Sequence, residues 1–223
     1  MEKVLHTVVE IGLEKPFKVL HITDTHITES NEDDSEKMQA LMKRRKEVFL
    51  KLGRTPDKEP QEHLKEALAL ADAEGAYPVL TGDLMDANAH GSRVILEEIL
   101  KGRDYLYTAG SHEGQTTNWL EPMEEADPYY KEFCDYYATR FGTWFFDHKI
   151  INGVNLVTMD NAPNFFTEDS YLRLQGEINR GLPIVLFMHN PLNCTSLQKQ
   201  WPYCSDEAYE ISRKTVALIE SCP

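Results

Sequence analysis

The sequence is short of basic residues: 23 Lys and Arg stand against 37 Asp and Glu, which gives a net charge of −14 over 223 residues. This shortage argues against nonspecific binding to nucleic acid, because few cations are available to neutralise a phosphate backbone. An anionic substrate is still compatible with the composition, since bound divalent cations would dominate the local field. Nucleic acid is therefore not an expected partner.

Long hydrophobic runs are also missing. The longest candidate, residues 182–188, is far shorter than the roughly 20 apolar residues of a membrane-spanning helix. Residues 1–18 lack the continuous apolar stretch of a secretory signal. We therefore expect a cytoplasmic protein without a membrane partner.

Cysteine is scarce, and Cys134, Cys194, Cys204 and Cys222 show no CxxC spacing. This pattern predicts free thiols in a reducing compartment. Because Cys194 and Cys204 follow His189 closely, a structural zinc site is an alternative, but the paired spacing of known zinc sites is missing.

Four apolar segments end in acidic residues or histidines, and this recurrence is the most informative feature of the chain. The segments and the polar residues that follow them are 18–22 with Asp24 and His26, 77–80 with Asp83 and Asp86, 105–107 with Ser111, His112 and Glu113, and 184–188 with His189. Nearly unbroken apolar strands indicate a sheet that is buried on both faces. In such sheets the carboxyl ends of the strands share one edge where ligands bind, so we expect these side chains to meet there. Carboxylate and imidazole together suit divalent Mn, Fe or Zn.

Helical patterns separate the predicted strands. Helices are predicted near residues 38–50, 62–74 and 93–101, in a segment that ends near 178, and over 205–220. This alternation implies right-handed crossovers and a mainly parallel centre. Asn152 and Gly153, between two apolar runs, predict a β-hairpin. An α/β fold with a mixed sheet or sandwich therefore fits better than a purely parallel sheet.

Two other segments have weaker patterns. Residues 4–11 alternate in polarity and predict an edge strand before the first apolar segment. The aromatic-rich segment 129–146 predicts an amphipathic helix over 129–139, with a lid or substrate-binding wall as the alternative. No linker or internal repeat divides the chain, so we expect a single domain over residues 1–223.

The spacing of several polar residues is that of metal ligands. Asp24 and His26 are two residues apart at a strand end, so they share a face and can hold one ion together. Asp83 follows Gly82, whose missing Cβ allows a sharp exit from the strand. Its two carboxylate oxygens can bridge two ions about 3.5–4 Å apart, the separation typical of two-metal hydrolases. His189 is predicted to bind the second ion.

His112 is the candidate catalytic side chain that does not bind a metal. A histidine beside metal ions can protonate a leaving alkoxide or stabilise the charge that develops on phosphoryl oxygens. Asp86 is predicted either to fix the tautomer of an imidazole or to cap the following helix. Glu113 is predicted either to orient His112 or to cap a helix.

In order and spacing, these motifs resemble those of the calcineurin-like metallophosphoesterases. The matching motifs are Asp24-x-His26, Gly82-Asp83-x-x-Asp86, Gly110-Ser111-His112-Glu113 and His189, and together they are specific although each alone is weak. The resemblance implies a β-sandwich flanked by helices and a two-metal centre that hydrolyses phosphate esters. It places Asp24 and His26 on the first metal, Asp83 on both and His189 on the second. It gives His112 the leaving-group or phosphate chemistry.

The chain departs from the pattern of this family in two places. Ser111 stands where the family usually has an asparagine whose amide oxygen binds the second metal, so we expect the serine hydroxyl to bind weakly or through water. The closing Gly-His-x-His motif, which gives one histidine to each metal, has no counterpart before Pro223. We therefore expect residues 1–223 to be a C-terminally incomplete domain that lacks its last strands.

The resemblance implies a hydrolase of phosphate monoesters or diesters, in which a hydroxide bound to two divalent ions attacks the phosphorus. The acidity of the chain favours a small substrate such as a nucleotide or sugar phosphate, with a phosphoprotein as the alternative. Ser111 and the absent last motif support another hypothesis, a decayed metal site on a protein-binding scaffold. A third hypothesis is a module that binds one metal through Asp24, His26 and Asp83.

Overall fold

The structure is a computed structural model that describes residues 4–52, 58–113, 146–162, 166–191 and 206–222. Within these ranges strands and helices follow one another in the predicted order, with two helices before the second strand and a β-hairpin after the third. In chain order the elements are β1 (Lys18–Ile22), α1 (Glu36–Lys51), α2 (Pro60–Glu74), β2 (Ala76–Thr81), α3 (His90–Leu100), β3 (Leu106–Thr108), β4 (Phe146–Ile151), β5 (Val154–Met159), α4 (Glu168–Ile178), β6 (Ile184–Phe187) and α5 (Asp206–Glu220).

The first sheet is entirely parallel, with strand order β1-β2-β3. Ile22 at the end of β1 lies opposite Leu80 of β2, and Thr81 at the end of β2 lies opposite Thr108 of β3. Because the three strands run in one direction and end in register, the loops that follow them all start from one edge. This edge carries most of the predicted site residues.

The second sheet is mixed, with strand order β4-β5-β6. β4 and β5 are antiparallel, and β6 runs parallel to β5. Asn152 and Gly153 join β4 to β5 with positive φ angles of 50° and 83°, as a two-residue hairpin turn of the primed type requires. The hairpin predicted from Asn-Gly is therefore confirmed.

The two sheets face each other across an apolar layer. Val79 and Leu106 of the first sheet lie in one buried cluster with Val154 and Leu156 of the second. Helices cover the outer faces: α2 and α3 pack on the first sheet, and α4 and α5 pack on the second. The predicted α/β fold, a mixed sandwich flanked by helices, is confirmed.

Helix α1 lies against the loop that follows β2. Ser35 begins the helix by accepting a hydrogen bond from the Met38 amide at 3.2 Å, which satisfies one of the free amides of the first turn. Met38 and Met42 are buried together with Ala87 and Ala89. Since residues three and four apart share a helix face, this contact also turns the next positions of α1 toward the edge of the first sheet.

The predicted edge strand over residues 4–11 is wrong. This segment has no regular secondary structure, and Leu5 and Val8 are 79% and 84% exposed. A strand forms only where its backbone pairs with a neighbour, and in the described part of the chain no such pairing is made there. The predicted helix over 129–139 lies outside the described residues.

The structure bears on the predictions about cysteines and membrane helices to different extents. Cys222 is a free, exposed thiol, whereas the other three cysteines lie outside the described residues. Among the helices that the structure describes, none is both long and apolar enough to cross a membrane. The absence of C-terminal strands stays a prediction.

Candidate metal centre

The loops after β1 and β2 run side by side beyond the ends of their strands. The amides of Asp24 and His26 donate to the carbonyls of Gly82 and Asp83 at 3.0 and 2.9 Å. A parallel bridge between Ile27 and Met85 continues the pairing. This extended ladder brings the Asp24-x-His26 loop next to Asp83.

Three of the predicted ligands occupy a strained backbone conformation. Asp24, His26 and Asp83 have φ angles of 55°, 50° and 50°, in the left-handed region that residues with a Cβ rarely adopt. Each such residue costs about 1–3 kcal/mol and persists only where surrounding contacts hold it. Here the ladder between the two loops supplies those contacts.

The loops after β2 and β3 touch through their backbones at two glycines. A Cβ on Gly82 would lie 2.1 Å from the Gly110 nitrogen, and a Cβ on Gly110 would lie 2.2 Å from Asp83 Oδ1. These separations are well inside van der Waals contact, so a side chain at either position would push the loops apart. The glycines of both motifs are therefore required for the close approach of Asp83 to the third loop.

Glu113 ties the same two loops together. Its carboxylate is fully buried and accepts hydrogen bonds from the backbone amides of Asp83, Leu84 and Gly110 at 2.8, 2.5 and 2.8 Å. Burial and the nearby charge of Asp83 raise the pKa of Glu113, against the effect of the three amides. The sequence predicts that Glu113 orients His112 or caps a helix. Its contacts instead hold the backbone that carries Asp83.

The ligand atoms of the predicted residues form two groups that share one carboxylate. Asp24, Asp83 and His189 make one group, and His26, Asp83 and His112 make the other, with the ligand atoms of each group within 4.8 Å of one another. Asp83 Oδ1 accepts the backbone amide of His112 at 2.8 Å. Its Oδ2 atom is then the one directed at the imidazoles.

A buried carboxylate fixes two of these imidazoles. His26 Nδ1 and His112 Nδ1 each lie 3.1 Å from Asp86 Oδ1, and the Asp86 side chain is fully buried. Because Nδ1 carries the hydrogen that Asp86 accepts, the lone pair of each neutral ring is on Nε2. The first residues of α3 are instead capped by Asp34, which accepts the His90 amide at 2.6 Å. The sequence predicts that Asp86 either fixes the tautomer of an imidazole or caps the following helix. The contacts of Asp86 fit the first of these roles.

The third imidazole is fixed by the backbone. His189 Nδ1 lies 2.8 Å from the carbonyl oxygen of Thr81, at the end of β2. Its Nε2 atom lies 3.4 Å from Asp83 Oδ2, and the Nε2 atoms of His26 and His112 each lie 3.9 Å from the same oxygen. All three rings therefore direct Nε2 toward one carboxylate oxygen.

The family model for calcineurin-like phosphoesterases matches residues 17–217. The chain belongs to the calcineurin-like phosphoesterase family. Members of this family are metal-dependent hydrolases of phosphate esters that use divalent metals. None of the curated proteins compared with the chain gives a significant match.

The residues at this centre fit a divalent cation by their chemistry. Each group combines carboxylate oxygen with imidazole nitrogen, the ligands that Mn, Fe and Zn accept. Ligand atoms within 4.8 Å of one another can surround one ion at bond lengths of about 2.0–2.2 Å after small adjustments. Asp83 belongs to both groups, so it is placed to contact two ions.

The electrostatics of this centre favour cations. Burial opposes charge on His189, but the hydrogen bond and attraction of Asp83 outweigh it and raise the pKa of His189 to about 9. The pKa of His112 is also raised, since Asp86 and Asp83 outweigh its burial. Burial likewise opposes charge on Asp83, and the two histidines keep its pKa below the ordinary value. A divalent ion would compete with protons for these imidazoles, so binding would release protons.

Ser111 precedes His112 in the turn after β3 and is half-buried. Its backbone neighbours, Gly110 and His112, both contact Asp83. The serine therefore belongs to the loop that meets the two groups, and its role as a ligand of the second metal stays a prediction.

Sequence reasoning missed Arg45 of α1. Its guanidinium donates to both oxygens of Asp86, with Nε 2.6 Å from Oδ2 and Nη2 2.7 Å from Oδ1. Arg45 lies on the same face of α1 as Met38 and Met42. Because that face is buried, a charged residue on it is a signal that could have identified Arg45. The carbonyl of Thr81 was missed as well, because a backbone contact has no pattern in the sequence.

Proposed function

We propose that this protein hydrolyses phosphate esters with two divalent ions bound at the centre that the two ligand groups form around Asp83. The observation that carries the proposal is the membership of Asp83 in both groups, because one carboxylate shared by two clusters is the arrangement that a two-metal hydrolase needs. When bound, the ions would polarise the phosphoryl group and lower the pKa of a water to about 7.

The side chains then have distinct roles. In this proposal the first ion is held by Asp24, His26 and Asp83, the second by Asp83, His189 and Ser111, and the candidate catalytic residue is His112. Asp86 and Glu113 support these side chains without contacting the ions. The ions are Mn, Fe or Zn, in keeping with mixed oxygen and nitrogen ligands.

In this proposal, His112 holds and delivers a proton. Its Nδ1 atom donates to Asp86, and its Nε2 atom faces the shared carboxylate at 3.9 Å from Asp83 Oδ2. Hydrogen bonds and attraction from Asp86 and Asp83 raise the pKa of this ring and so favour its protonated form. Protonated His112 can therefore hydrogen-bond a phosphoryl oxygen or protonate the oxygen that leaves. Since His112 Nε2 also belongs to a ligand group, its protonation competes with cation binding.

The substrate that the composition favours is a small phosphate ester such as a nucleotide or a sugar phosphate, in a cytoplasmic protein. The excess of acidic residues would repel an extended polyanion, whereas a small ester can be neutralised by two divalent ions. A phosphoprotein is the other substrate class. The intact arrangement of Asp24, His26, Asp83 and His189 supports the enzyme over the decayed scaffold.

The decisive experiment replaces Asp83 and measures hydrolysis of p-nitrophenyl phosphate and its bis ester with Mn²⁺ present. We expect Asp83→Asn to lower kcat/KM by about 10²–10³-fold, the scale of losing one charge-stabilising group. Asp72→Asn is the matched control, because Asp72 is an exposed carboxylate on α2 that pairs with Arg103. Equal turnover in Asp83→Asn and wild type would overturn the proposal. The ratio of rates on the two esters also separates a phosphomonoesterase from a phosphodiesterase.

A further inference from the structure

The Asp86 side chain contacts three other side chains near the metal centre, those of His26, His112 and Arg45. Its fully buried Oδ1 atom lies within 3.1 Å of the Nδ1 atoms of both His26 and His112. Burial alone would raise the pKa of Asp86, but hydrogen bonds from Arg45 and the two histidines hold it well below the ordinary range. One carboxylate therefore sets the orientation of two imidazoles.

Arg45 holds this carboxylate through both of its oxygens. Its Nε and Nη2 atoms lie 2.6 and 2.7 Å from Asp86 Oδ2 and Oδ1, and its side chain is 13% exposed. A guanidinium that bonds two carboxylate oxygens in parallel fixes the plane of the carboxylate as well as its position. A lysine would supply the charge at a single point and leave that plane free to rotate.

The contacts around Arg45 show why the plane of the Asp86 carboxylate matters. Two acceptors of Asp86 lie next to His112 Nδ1, which favours a hydrogen on this nitrogen. Arg45 Nη2 lies 3.1 Å from the same atom, and since two N–H groups cannot bond each other, that hydrogen points to Asp86. Both acceptors that it can reach, Asp86 Oδ1 and the Asp86 carbonyl, lie at 3.1 Å. If the carboxylate rotated, Oδ1 could no longer serve both imidazoles.

The aromatic ring of Phe49 supports the same arrangement from α1. The Arg45 guanidinium carbon lies 5.6 Å from the centre of the Phe49 ring, and that ring lies 5.8 Å from the His26 ring. Arg45 and Phe49 are four residues apart on one helix face, so α1 contacts the centre through both. Helix α1 thus connects to the ligand groups although it supplies no ligand.

We propose that Arg45 is a positioning residue of the metal centre. By fixing both oxygens of Asp86, Arg45 keeps the Nδ1–H groups of His26 and His112 directed at Asp86 and their Nε2 atoms directed at Asp83. The value of this arrangement for catalysis depends on the proposed function. His189 is independent of Arg45, because its Nδ1 atom bonds the backbone carbonyl of Thr81.

The independence of His189 gives an internal reference for the test. In protein labelled with ¹⁵N at histidine and kept metal-free with EDTA, we expect slowly exchanging Nδ1–H resonances from His26, His112 and His189. Arg45→Gln should broaden or remove the first two and keep the third. A purely structural role for Arg45 would affect all three alike, and unchanged resonances in Arg45→Gln would overturn the proposal.

Metal affinity is the second measurement. We expect Arg45→Gln to weaken the binding of Mn²⁺, measured by calorimetry, by about 10–100-fold, the usual effect of removing a group that orients ligands. Arg44→Gln is the matched control because Arg44 is the exposed neighbour on α1, and it should bind Mn²⁺ as wild type does. An affinity within twofold of wild type in Arg45→Gln would contradict the proposal.

Arg45→Lys separates charge from geometry and covers the case in which Arg45→Gln does not fold. We expect it to fold and to keep the His189 resonance, while losing at least one of the other two, since it holds Asp86 at one point only. Full retention of both resonances in Arg45→Lys would show that charge alone suffices and would overturn the role of the two-point contact. If wild-type protein binds no Mn²⁺, the proposed function fails, while the metal-free resonances still decide the role of Arg45.

Discussion

The two sheets contribute to the metal centre in different ways. The parallel sheet supplies Asp24, His26, Asp83 and His112, and other side chains hold them: Asp86 and Arg45 at the imidazoles, Glu113 under the backbone of Asp83. The mixed sheet supplies His189, which a backbone carbonyl of the first sheet fixes. Replacing one supporting side chain can therefore disturb the orientation of the ligands at the parallel sheet. The support of His189 is a backbone carbonyl, which a substitution does not remove.

A pair of asparagines positions the His189 loop. Asn161, after β5, donates to the Asn190 carbonyl at 2.7 Å and accepts the Asn190 amide at 2.9 Å. These bonds join the loops after β5 and β6, so they act on backbone rather than on the imidazole. In both sheets, glycine or amide contacts bring loops together, and at the parallel sheet the buried Glu113 carboxylate also binds the backbone under a ligand.

The largest expected difference between the sheets comes from their buried glutamates. Glu113→Gln places an amide N–H against at least one backbone N–H under Asp83, so we expect the free energy of unfolding to fall by about 2–4 kcal/mol. Metal affinity should fall too, because the same backbone carries Asp83. Urea denaturation and Mn²⁺ calorimetry measure the two effects.

Glu177 provides the matched control in the mixed sheet. It accepts the Asn155 side chain at 2.8 Å and pairs with Arg180, away from any predicted ligand. Glu177→Gln should lower stability without changing metal affinity. If both variants weakened Mn²⁺ binding equally, the link between Glu113 and Asp83 would be refuted.

A smaller effect is expected from an added methyl group. Gly110→Ala would place Cβ 2.2 Å from Asp83 Oδ1, so the loops must separate, at a cost of about 1–3 kcal/mol for overpacking. Gly176→Ala, in helix α4, meets nothing within 4 Å and should stabilise the helix by about 0.5–1 kcal/mol. Thermal denaturation compares the two variants, and equal shifts in Tm would contradict the close packing of Gly110.

The smallest effect is a pH dependence of the metal-free protein. The pKa of His189 is raised from 6.5 to about 9 in the folded state, so the folded protein holds this proton more tightly than the unfolded chain. The contribution of this proton to the free energy of unfolding is complete below a pH of about 6.5 and is lost as the pH rises through about 9. With allowance for screening by solvent, we expect the free energy of unfolding to fall by about 1 kcal/mol across this pH interval.

Urea denaturation in EDTA at both ends of the interval measures this loss. His189→Gln should reduce this loss and leave the share that comes from the raised pKa of His112. His63→Gln, at an exposed position of α2, should leave the loss unchanged. An identical decrease in wild type and His189→Gln would show that other groups account for the pH dependence.

Local sequence patterns predict some elements of the fold closely and others wrongly. The apolar runs of β1 and β6 and the Asn-Gly turn are local patterns, so they identified their elements closely. Residues 4–11 alternate in polarity as well, but a strand also needs a neighbouring backbone, and alternation alone does not supply one. Local pattern therefore predicts an element well only where the surrounding fold provides its partner.

The candidate site shows the same limit at the level of side chains. Asp24, Asp83 and His189 could be expected to meet because residues at the ends of parallel strands share an edge. Arg45 lies in a helix 41 positions before Asp86, and only the packing of α1 on the loop after β2 brings the two together. The partner of Glu113 was equally hidden, because backbone amides look alike in every sequence.

The sequence by itself determined the order of strands and helices, the edge at which the polar motifs collect and the types of ligand available there. These follow from periodicity and residue chemistry, which are local properties. The tertiary structure alone decided which nitrogen of each imidazole faces Asp83, which carboxylate serves two rings and which helix holds that carboxylate. Such choices depend on distances between residues far apart in the chain, and those distances exist only once the two sheets and α1 have packed together.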